Sequence, residues 1–250
     1  MKTVTIYQTV VVIGFVALLE VLCLTGVIDK VTMPPPHIIA RDFVRMIWHG
    51  RYFTDIAITM LNVLIAFAGA FVAGIAIGTI LHGYRTARDV LDPLFATYYA
   101  IPIFAFYPLF IVIFGLGDVP QVLIGFMLGL VAVIVNTLNG LDRVPPVLLK
   151  TARVMRLAPA AAAWRLTLPA AGPHIVTGVK LAVAYAFIGI IGSEFILSRG
   201  GIGYEISFAY NNFDNATMYP LIVLILLASI AINSMLTRWE RTLLARRGIR

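Results

Sequence analysis

Charged residues are scarce in this chain of 250 residues. They make up 12% of it, whereas a soluble domain carries about 25%. Hydrophobic residues supply 60% of the chain, and the mean hydropathy is +0.94. A soluble globular domain is therefore excluded, and the composition predicts an integral membrane protein.

Cysteine is almost absent as well. The single cysteine, Cys23, excludes a disulfide within the chain and any metal site built from several cysteines. The four histidines are scattered without the spacing of metal ligands. No Gly-x-x-x-x-Gly-Lys motif is present to cradle a nucleotide phosphate. The sequence therefore predicts no catalytic residue, no metal site and no cofactor site in this chain.

Six apolar runs are long enough to cross about 30 Å of hydrocarbon as helices. They cover residues 4–28, 54–81, 93–115, 119–138, 173–197 and 220–236. The first run lacks the cleavage pattern of a signal peptide, so we interpret it as a retained span. The runs predict a single transmembrane domain over residues 1–250, with its core at residues 54–240.

Proline and charge mark the segments between and within these spans. Residues 37–50 follow a proline run and place apolar and charged side chains at helical spacing, which predicts a helix lying on the outer surface. The third span contains Pro102 and Pro108, which should bend it. Residues 82–92 are predicted to form a charged turn, and residues 198–219 an external segment.

Small residues recur at short spacing in the second span, at Gly69, Gly74 and Gly78. Such spacing lets another helix approach closely. It predicts helix packing rather than chemistry.

Positive charge is distributed unequally between the two sides of the predicted spans. The net charge of +7 arises from 19 Lys and Arg against 12 Asp and Glu. Five of these 19 cations lie on one side, namely Lys30, Arg41, Arg45, Arg51 and Arg199, and the other 14 lie on the opposite side. Cytoplasmic loops carry the excess of Lys and Arg, so both termini are predicted to be cytoplasmic. Since the cations cluster at span ends, membrane lipid is the expected environment and a nucleic acid partner is not.

The longest polar interruption is the loop at residues 139–172, between the fourth and fifth spans. Its C-terminal part carries Lys150, Arg153, Arg156 and Arg165 and no acidic residue. Alanine-rich turns with interspersed leucine favour helix, and prolines interrupt them. The loop is therefore predicted to form a short helical hairpin at the cytoplasmic surface.

This loop resembles the EAA loop of the membrane subunits of ABC importers. That motif runs Glu-Ala-Ala, then Gly four residues on, and closes with Ile-x-Leu-Pro. When the motif is aligned on Leu168-Pro169, Glu-Ala-Ala falls on residues 150–152 and the glycine falls on Arg156. The Leu-Pro close and one alanine are retained, whereas the glutamate and the glycine are each replaced by a cation.

Further stretches extend the resemblance over most of the chain from about residue 34. They are, in order, Leu91-Asp92-Pro93-Leu94, Ile101-Pro102, Tyr107-Pro108-Leu109, Phe114-Gly115-Leu116-Gly117, Val135-Asn136-Thr137-Leu138-Asn139-Gly140, Gly192-Ser193-Glu194-Phe195 and Gly200-Gly201-Ile202-Gly203-Tyr204. Taken together, these stretches are similar to the permeases of the nitrate/sulfonate/taurine type of ABC importer.

The resemblance implies a fold and a set of partners. The fold is an all-α membrane protein with six transmembrane helices, in the type I ABC-importer permease architecture with a cytoplasmic coupling hairpin. The chain would be a non-catalytic subunit of the bacterial inner membrane, and two ABC ATPase subunits would bind ATP and Mg. A second permease subunit, usually an identical copy, and a periplasmic or lipid-anchored substrate-binding protein complete the assembly.

The hairpin is where this resemblance predicts ATPase docking. Arginines beside large apolar groups on a surface helix suit a groove in a partner, which favours Arg153, Arg156, Leu157 and Trp164. The alternative is that the arginines only set the membrane orientation. The full predicted docking set is Lys150, Thr151, Ala152, Arg153, Arg156, Leu157, Ala158, Pro159, Trp164, Leu168 and Pro169.

The replacement of the motif glutamate and glycine by Lys150 and Arg156 leaves two alternatives open. The cognate ATPase could carry compensating acidic residues. The chain could instead pair with a second, different permease.

The predicted pathway of the solute is lined by Glu194, Ser193, Asn136, Tyr99 and Tyr107. An ionisable residue within a span, such as Glu194, indicates a functional site, although it could instead brace the following external turn. The aromatic residues could equally be packing residues. The resemblance implies import of a small anionic solute. The alternative, an ATP-independent secondary transporter or channel, would commonly show an inverted repeat, and none is evident.

Overall fold

The computed structural model describes residues 2–29 and 32–246, and no strand occurs among them. The helices are α1 (Lys2–Leu24), α2 (Pro36–His49), α3 (Phe53–Gly83), α4 (Arg85–Thr97), α5 (Tyr107–Phe114), α6 (Asp118–Asp142), α7 (Pro146–Val154), α8 (Pro159–Ala162), α9 (Leu168–Ile196), α10 (Ile202–Asn211) and α11 (Asn215–Arg246). Two 3-10 helices, Tyr98–Ala100 and Ile103–Phe106, lie between α4 and α5, and a π-helical segment, Ala163–Thr167, joins α8 to α9. The predicted all-α class is confirmed.

The membrane crossings agree in number and order with the apolar runs. Five stretches are long and apolar enough to cross a membrane, namely Ile6–Leu24, Phe53–Gly83, Asp118–Asp142, Pro159–Ile196 and Asn215–Thr242. A sixth crossing results when Arg85–Ala100 and Ile103–Phe114, bent by 87°, are counted as one span. The bend lies at Pro102, whose ring removes a backbone donor and disfavours helix in the residue before it.

The charged segment at residues 82–92 is helical, so its prediction as a turn is wrong. Helix α3 continues to Gly83 and α4 begins at Arg85, which leaves a single residue between them. Arg88 and Asp92 lie one helical turn apart and form an ion pair of 3.5 Å, which supports helix in this polar stretch.

The helix of the fifth crossing begins before Pro173, the predicted start of that crossing. The stretch from Pro159 to Ile196 is long enough to be one span, and Pro169 and Pro173 lie inside it. Pro169 lies in the first turn of α9, where proline is tolerated because the first N–H groups have no partner within the helix. The π-helical segment before it keeps the chain helical, and Pro173 lies inside α9. The expectation that a helix starts at Pro173 is therefore wrong, whereas the point at which α9 enters the membrane stays a prediction.

The external segment and the tail also contain helix. Residues 198–219 include α10, and α11 starts at Asn215, before the predicted start at Pro220. The tail from residue 237 continues α11 as far as the described chain goes. The predicted orientation also counts cations at Lys30, Arg247 and Arg250, which lie outside the described residues.

Helices α3, α6 and α9 form the centre of the fold, and glycines bring them together. A Cβ on Gly74 would lie 2.5 Å from the Cβ of Val133, and a Cβ on Gly189 would lie 2.7 Å from the Cα of Gly125. Real side chains do not approach so closely, so these positions admit only glycine at the observed spacing. The predicted packing role of the small residues in the second span is confirmed.

Helices α1 and α2 lie at the periphery. The predicted helix is confirmed as α2, whose Met46 packs against the buried cluster that includes Tyr52 and Leu221. The place of α2 on the outer membrane surface stays a prediction. The carboxylate of Glu20 on α1 accepts the backbone N–H of His37 at 3.1 Å and lies 2.5 Å from its ring Nδ1. This contact ties the end of α1 to the start of α2.

Candidate functional site

The polar loop folds into a hairpin whose two arms are α7 and the helical segment from Pro159 onward. Its base is apolar: Val144 and Leu168 are buried with Leu141, and Leu148 of α7 packs against them. These contacts fix the hairpin to the ends of α6 and α9. Leu168, a predicted docking residue, belongs to this base and is only 8% exposed.

The turn of the hairpin is centred on Arg156, which has a left-handed backbone with φ of +48°. The N–H of Leu157 donates to the carbonyl of Ala152 at 3.0 Å, and the N–H of Arg156 donates to that of Arg153 at 3.0 Å. This pair of bonds is the Schellman ending of a helix, in which glycine usually takes the left-handed position. The left-handed turn explains why the EAA motif has a glycine at this position. In this chain Arg156 takes that place and adopts the left-handed conformation.

The outer surface of the hairpin combines cations with exposed apolar side chains. Trp164 is 72% exposed, Val154 84% and Met155 61%, and the arginines at 153 and 156 are exposed beside them. A cluster of large apolar side chains on a polar surface is typical of an interaction site. The predicted docking set does not include Val154 and Met155. Their position as apolar residues between Arg153 and Arg156 could have indicated that they share the same surface.

The remaining predicted docking residues differ in exposure. Ala152 is buried and shapes the hairpin from within, whereas Thr151 and Leu157 are half-buried. The exposed members are Lys150, Ala158, Pro159 and Pro169.

A cavity of about 460 Å³ opens between α4, α6 and α9. Its lining includes Tyr99, Tyr185, Asn136 and Asn139. The rings of Tyr99 and Tyr185 stack with their centroids 5.3 Å apart and an interplanar angle of 30°. The structure thus brings together two predicted pathway residues, Asn136 and Tyr99, and adds Tyr185, which the sequence did not single out.

Charged groups border this cavity at the end nearest the hairpin. The guanidinium of Arg88 donates to both carboxylate oxygens of Asp142, at 2.7 and 2.6 Å, and lies 3.5 Å from the carboxylate of Asp92. Arg88 and Asp92 both line the cavity. Because the charge of Arg88 is already balanced, a solute in the cavity would mainly meet hydroxyl and amide groups.

Glu194 lies near the opposite end of α9 and is fully buried. Its carboxylate accepts hydrogen bonds from Oγ1 of Thr59, at 2.9 Å, and from the backbone N–H of Gly203, at 3.0 Å. Oγ1 of Thr59 in turn accepts the N–H of Ile202 at 2.9 Å. Side chains of α3 and α9 therefore satisfy N–H groups that the start of α10 would otherwise leave without partners.

The glycine before α10 completes this arrangement. Gly201 has φ of +98°, and its N–H donates to the carboxylate of Asp55 at 3.1 Å. A Cβ at this position would lie 2.4 Å from Cδ of Glu194. Asp55 and Thr59, one turn apart on α3, were missed because nothing in the sequence links them to a segment some 140 residues away.

Two further predicted pathway residues lie at the same end of the molecule. Ser193 and Tyr107 are both buried, and their hydroxyl groups donate to backbone carbonyls. Together with Glu194 they lie apart from the cavity that Asn136 and Tyr99 line. The five predicted residues therefore do not form one site.

The comparison with protein families assigns the chain. Residues 70–247 match the family described as "Binding-protein-dependent transport system inner membrane component". The chain belongs to this family. The permease is thus an inner-membrane component of an ABC importer, and the alternative of an ATP-independent transporter or channel is excluded.

Relatives of the permease fall in the nitrate/sulfonate/taurine type. It is 28% identical over 230 residues to a Bacillus subtilis protein named as an aliphatic sulfonates transport permease, SsuC, covering 92% of this chain and 83% of that one. It is 27% identical over 183 residues to the nitrate import permease NrtB of Leptolyngbya laminosa, covering 73% and 66%. It is 24% identical over 187 residues to the taurine transport system permease TauC of Escherichia coli, covering 73% and 68%.

A solved structure confirms the type I architecture of the permease. A chain of the MetNI methionine ABC transporter, in an inward-facing conformation, superposes with a TM-score of 0.65 at 18% identity. The match covers 80% of this chain and 98% of that chain.

Proposed function

We propose that the hairpin at residues 146–167 docks into a groove of a cytoplasmic ABC ATPase, which binds the ATP and Mg. The observation that carries this proposal is the exposure of Trp164, Val154 and Met155 on a hairpin with a packed base. Large apolar side chains held in a rigid frame lose little entropy on binding, which suits them to anchor an interface. Two permeases would present two hairpins, one to each of two ATPases.

The proposed orientation of the permease is supported by the distribution of charge. Arg143, Lys150, Arg238 and Arg241 lie at the same end of the helices as the hairpin, and loops rich in Lys and Arg stay in the cytoplasm. Both termini and the hairpin are therefore proposed to be cytoplasmic. The opposite face, which carries α10, would receive the periplasmic or lipid-anchored binding protein.

The exposed cations of the hairpin favour an acidic groove in the cognate ATPase. Lys150, Arg153 and Arg156 are all exposed, and a desolvated interface tolerates such charges when they are paired. This supports a cognate ATPase with compensating acidic residues over a heterodimer with a different permease.

The cavity between α4, α6 and α9 is the proposed solute pathway. The hydroxyl groups of Tyr99 and Tyr185 and the amides of Asn136 and Asn139 can donate hydrogen bonds to a small anion. The names of the relatives, which refer to nitrate, sulfonates and taurine, support a small anionic solute.

A second copy of this chain is the proposed partner within the membrane. The face of α4 and α5 is apolar and open, with Leu94 59%, Leu109 50% and Val112 83% exposed. Tyr99 on the cavity wall is also 46% exposed, so a copy seated on this face would help to close the cavity. Lipid could cover the apolar face alone, as it covers the equally exposed Val11 and Val72, so the open cavity is what favours a homodimer.

Co-purification tests the docking proposal. The variant Trp164→Ala should reduce recovery of a co-expressed ABC ATPase with the affinity-purified permease about tenfold or more, because a central anchor residue contributes about 2 kcal/mol or more. The matched control is Trp48→Ala, since Trp48 is 86% exposed but lies on α2 at the other face.

The control should retain the ATPase at the parental level. Equal recovery of the ATPase with Trp164→Ala and with the parent would remove the hairpin from the interface. ATP-dependent uptake of nitrate or taurine in proteoliposomes, with the matching binding protein added, would then test the solute class.

A further inference from the structure

A charged cluster lies where the ends of α3, α4 and α6 meet. Its members surround an open cavity of about 460 Å³ and include His82, Arg88, Asp92 and Asp142. Arg88 is the central member, with its two hydrogen bonds to Asp142 and its contact with Asp92. His82 Nδ1 lies 3.4 Å from the same Asp142 carboxylate, so this one carboxylate joins all three helices.

Asp142 belongs to the unit that carries the hairpin. It is the last residue of α6, and only residues 143–145 separate it from α7. The connecting chain folds back on α6, with the N–H of Arg143 bonded to the carbonyl of Gly140 at 3.3 Å and that of Val144 to Leu141 at 3.2 Å. Because Val144 is buried in the hairpin base, a movement of the hairpin must be shared by Asp142.

Arg88 belongs to the wall of the proposed solute cavity. It lines that cavity together with Ala96 and Tyr99, which belong to the same helical stretch, Arg85–Ala100. It also lines the cavity of the charged cluster. Helix α4 has no fully buried residue, and it packs on α3 and α6 through Leu91 and Phe95, which are only partly buried. The bidentate ion pair is therefore a major part of what holds α4 to the end of α6.

We propose that the Arg88–Asp142 ion pair transmits movement of the docked hairpin to α4 and so opens or closes the inner end of the solute cavity. Arg88 is in this sense a positioning residue for transport. The inference rests on the proposed ATPase docking and on the proposed pathway. It adds a specific link between the docking hairpin and the solute cavity. Residues 143–145 join α7 to Asp142, and the ion pair joins Asp142 to Arg88 on the cavity wall.

A thiol-labelling experiment tests this link without knowledge of the solute. Cys23 is the single cysteine, so Cys23→Ser gives a background in which Ala96→Cys places one thiol on the cavity wall. The assembly with its co-expressed ATPase is labelled in nanodiscs by a cationic methanethiosulfonate reagent, without nucleotide and after trapping with ATP and vanadate. With the native ion pair, we expect the labelling rate to differ about tenfold between the two states.

Removal of the ion pair should abolish this difference. In Arg88→Gln or Asp142→Asn, we expect rates within about twofold of each other in the two states, while the ATPase still co-purifies and hydrolyses ATP. The exchanged pair Arg88→Asp with Asp142→Arg is made together with Asp92→Asn, because Asp92 lies 3.5 Å from Arg88 and would repel a second carboxylate there. This exchanged pair should restore the difference, which a merely structural loss would not permit. Arg85→Gln on the same helix is the matched control and should keep the native response.

Two results would overturn the inference. One is that both Arg88→Gln and Asp142→Asn keep the tenfold difference in labelling rate between the nucleotide-free and the trapped state. The other is an exchanged pair that binds and hydrolyses ATP normally but shows no difference between the states. Failure of the parental protein to retain an ATPase would instead contradict the proposed docking, so the two proposals can fail separately.

Discussion

At the scale of single residues, two positions show how backbone conformation shapes this permease. Arg156 takes a left-handed conformation that glycine adopts without strain, and Gly201 takes another that a side chain could not enter. The first position tolerates a side chain because that side chain points from an exposed turn. The second does not, because the buried carboxylate of Glu194 fills the space.

Replacing Arg156 with glycine should stabilise the fold, although it removes a residue of the proposed docking surface. Arg156→Gly removes a left-handed non-glycine residue, which costs about 1–2 kcal/mol, so the unfolding midpoint in detergent should rise. The matched variant Arg153→Gly lies within α7 and should lower the midpoint, since glycine in a helix costs about 1 kcal/mol. Shifts of the same sign for both variants would contradict this account of the turn.

Gly201 should admit no larger residue. Gly201→Ala combines the strain of a φ of +98° with a Cβ 2.4 Å from Cδ of Glu194, which together should cost about 3 kcal/mol or more. Gly14→Ala on α1, where nothing lies within 4 Å of the added Cβ, is the control and should leave the midpoint unchanged or slightly higher. The midpoints are measured by thermal unfolding in detergent. Comparable midpoints for the two variants would show that Glu194 moves away from residue 201 more easily than the geometry indicates.

At the scale of elements, the central contacts are those of α3, α6 and α9. The backbones of α9 and α6 are in direct contact where Gly189 crosses Gly125. Neither residue has a side chain that could change rotamer to make room. This differs from the surroundings of α1, where side chains such as Val11 remain 69% exposed. The closest helix–helix packing is therefore found among α3, α6 and α9.

Gly189→Ala should separate α6 from α9. A Cβ would lie 2.7 Å from the Cα of Gly125, so the helices must shift at a cost of about 1–3 kcal/mol. Thermal unfolding in detergent should show a lowered midpoint, whereas Gly83→Ala, which meets nothing within 4 Å, should be neutral. An unchanged midpoint for Gly189→Ala would mean that the two helices pack less closely than described.

The elements also show how far sequence reasoning reaches. The apolar runs, the bend at Pro102 and the hairpin were predictable because length, hydropathy and proline act locally. The bend predicted at Pro108 is wrong, because Pro108 lies in the first turn of α5, where proline is tolerated. The starts of α4 and α9 were not, because Pro93 and Pro173 look like boundaries but lie inside helices. The contact between Thr59 and Glu194 joins residues 135 apart and depends on how α3 packs against α9, which no local pattern encodes.

At the scale of the whole molecule, the open face of α4 and α5 predicts a pair of permeases. In a Cys23→Ser background, Val112→Cys should form a disulfide-linked dimer in native membranes after mild oxidation, since Val112 is 83% exposed on that face. Val11→Cys on α1 is the control and should remain monomeric on a denaturing gel. Cross-linking of both variants to the same extent, or of neither, would argue against this face as the dimer contact.

The length of α9 has a mechanical consequence. Leu168 lies in the base of the hairpin, and Glu194 is hydrogen-bonded to the start of α10. At a rise of 1.5 Å per residue, these two points of α9 are about 40 Å apart. Because α9 is one continuous helix over this distance, its two ends are coupled mechanically across the bilayer. With the hairpin docked as proposed, a tilt imposed by the ATPase at the inner end of α9 would displace the outer surface on which the binding protein would rest, and a load on that surface would tilt the inner end in return.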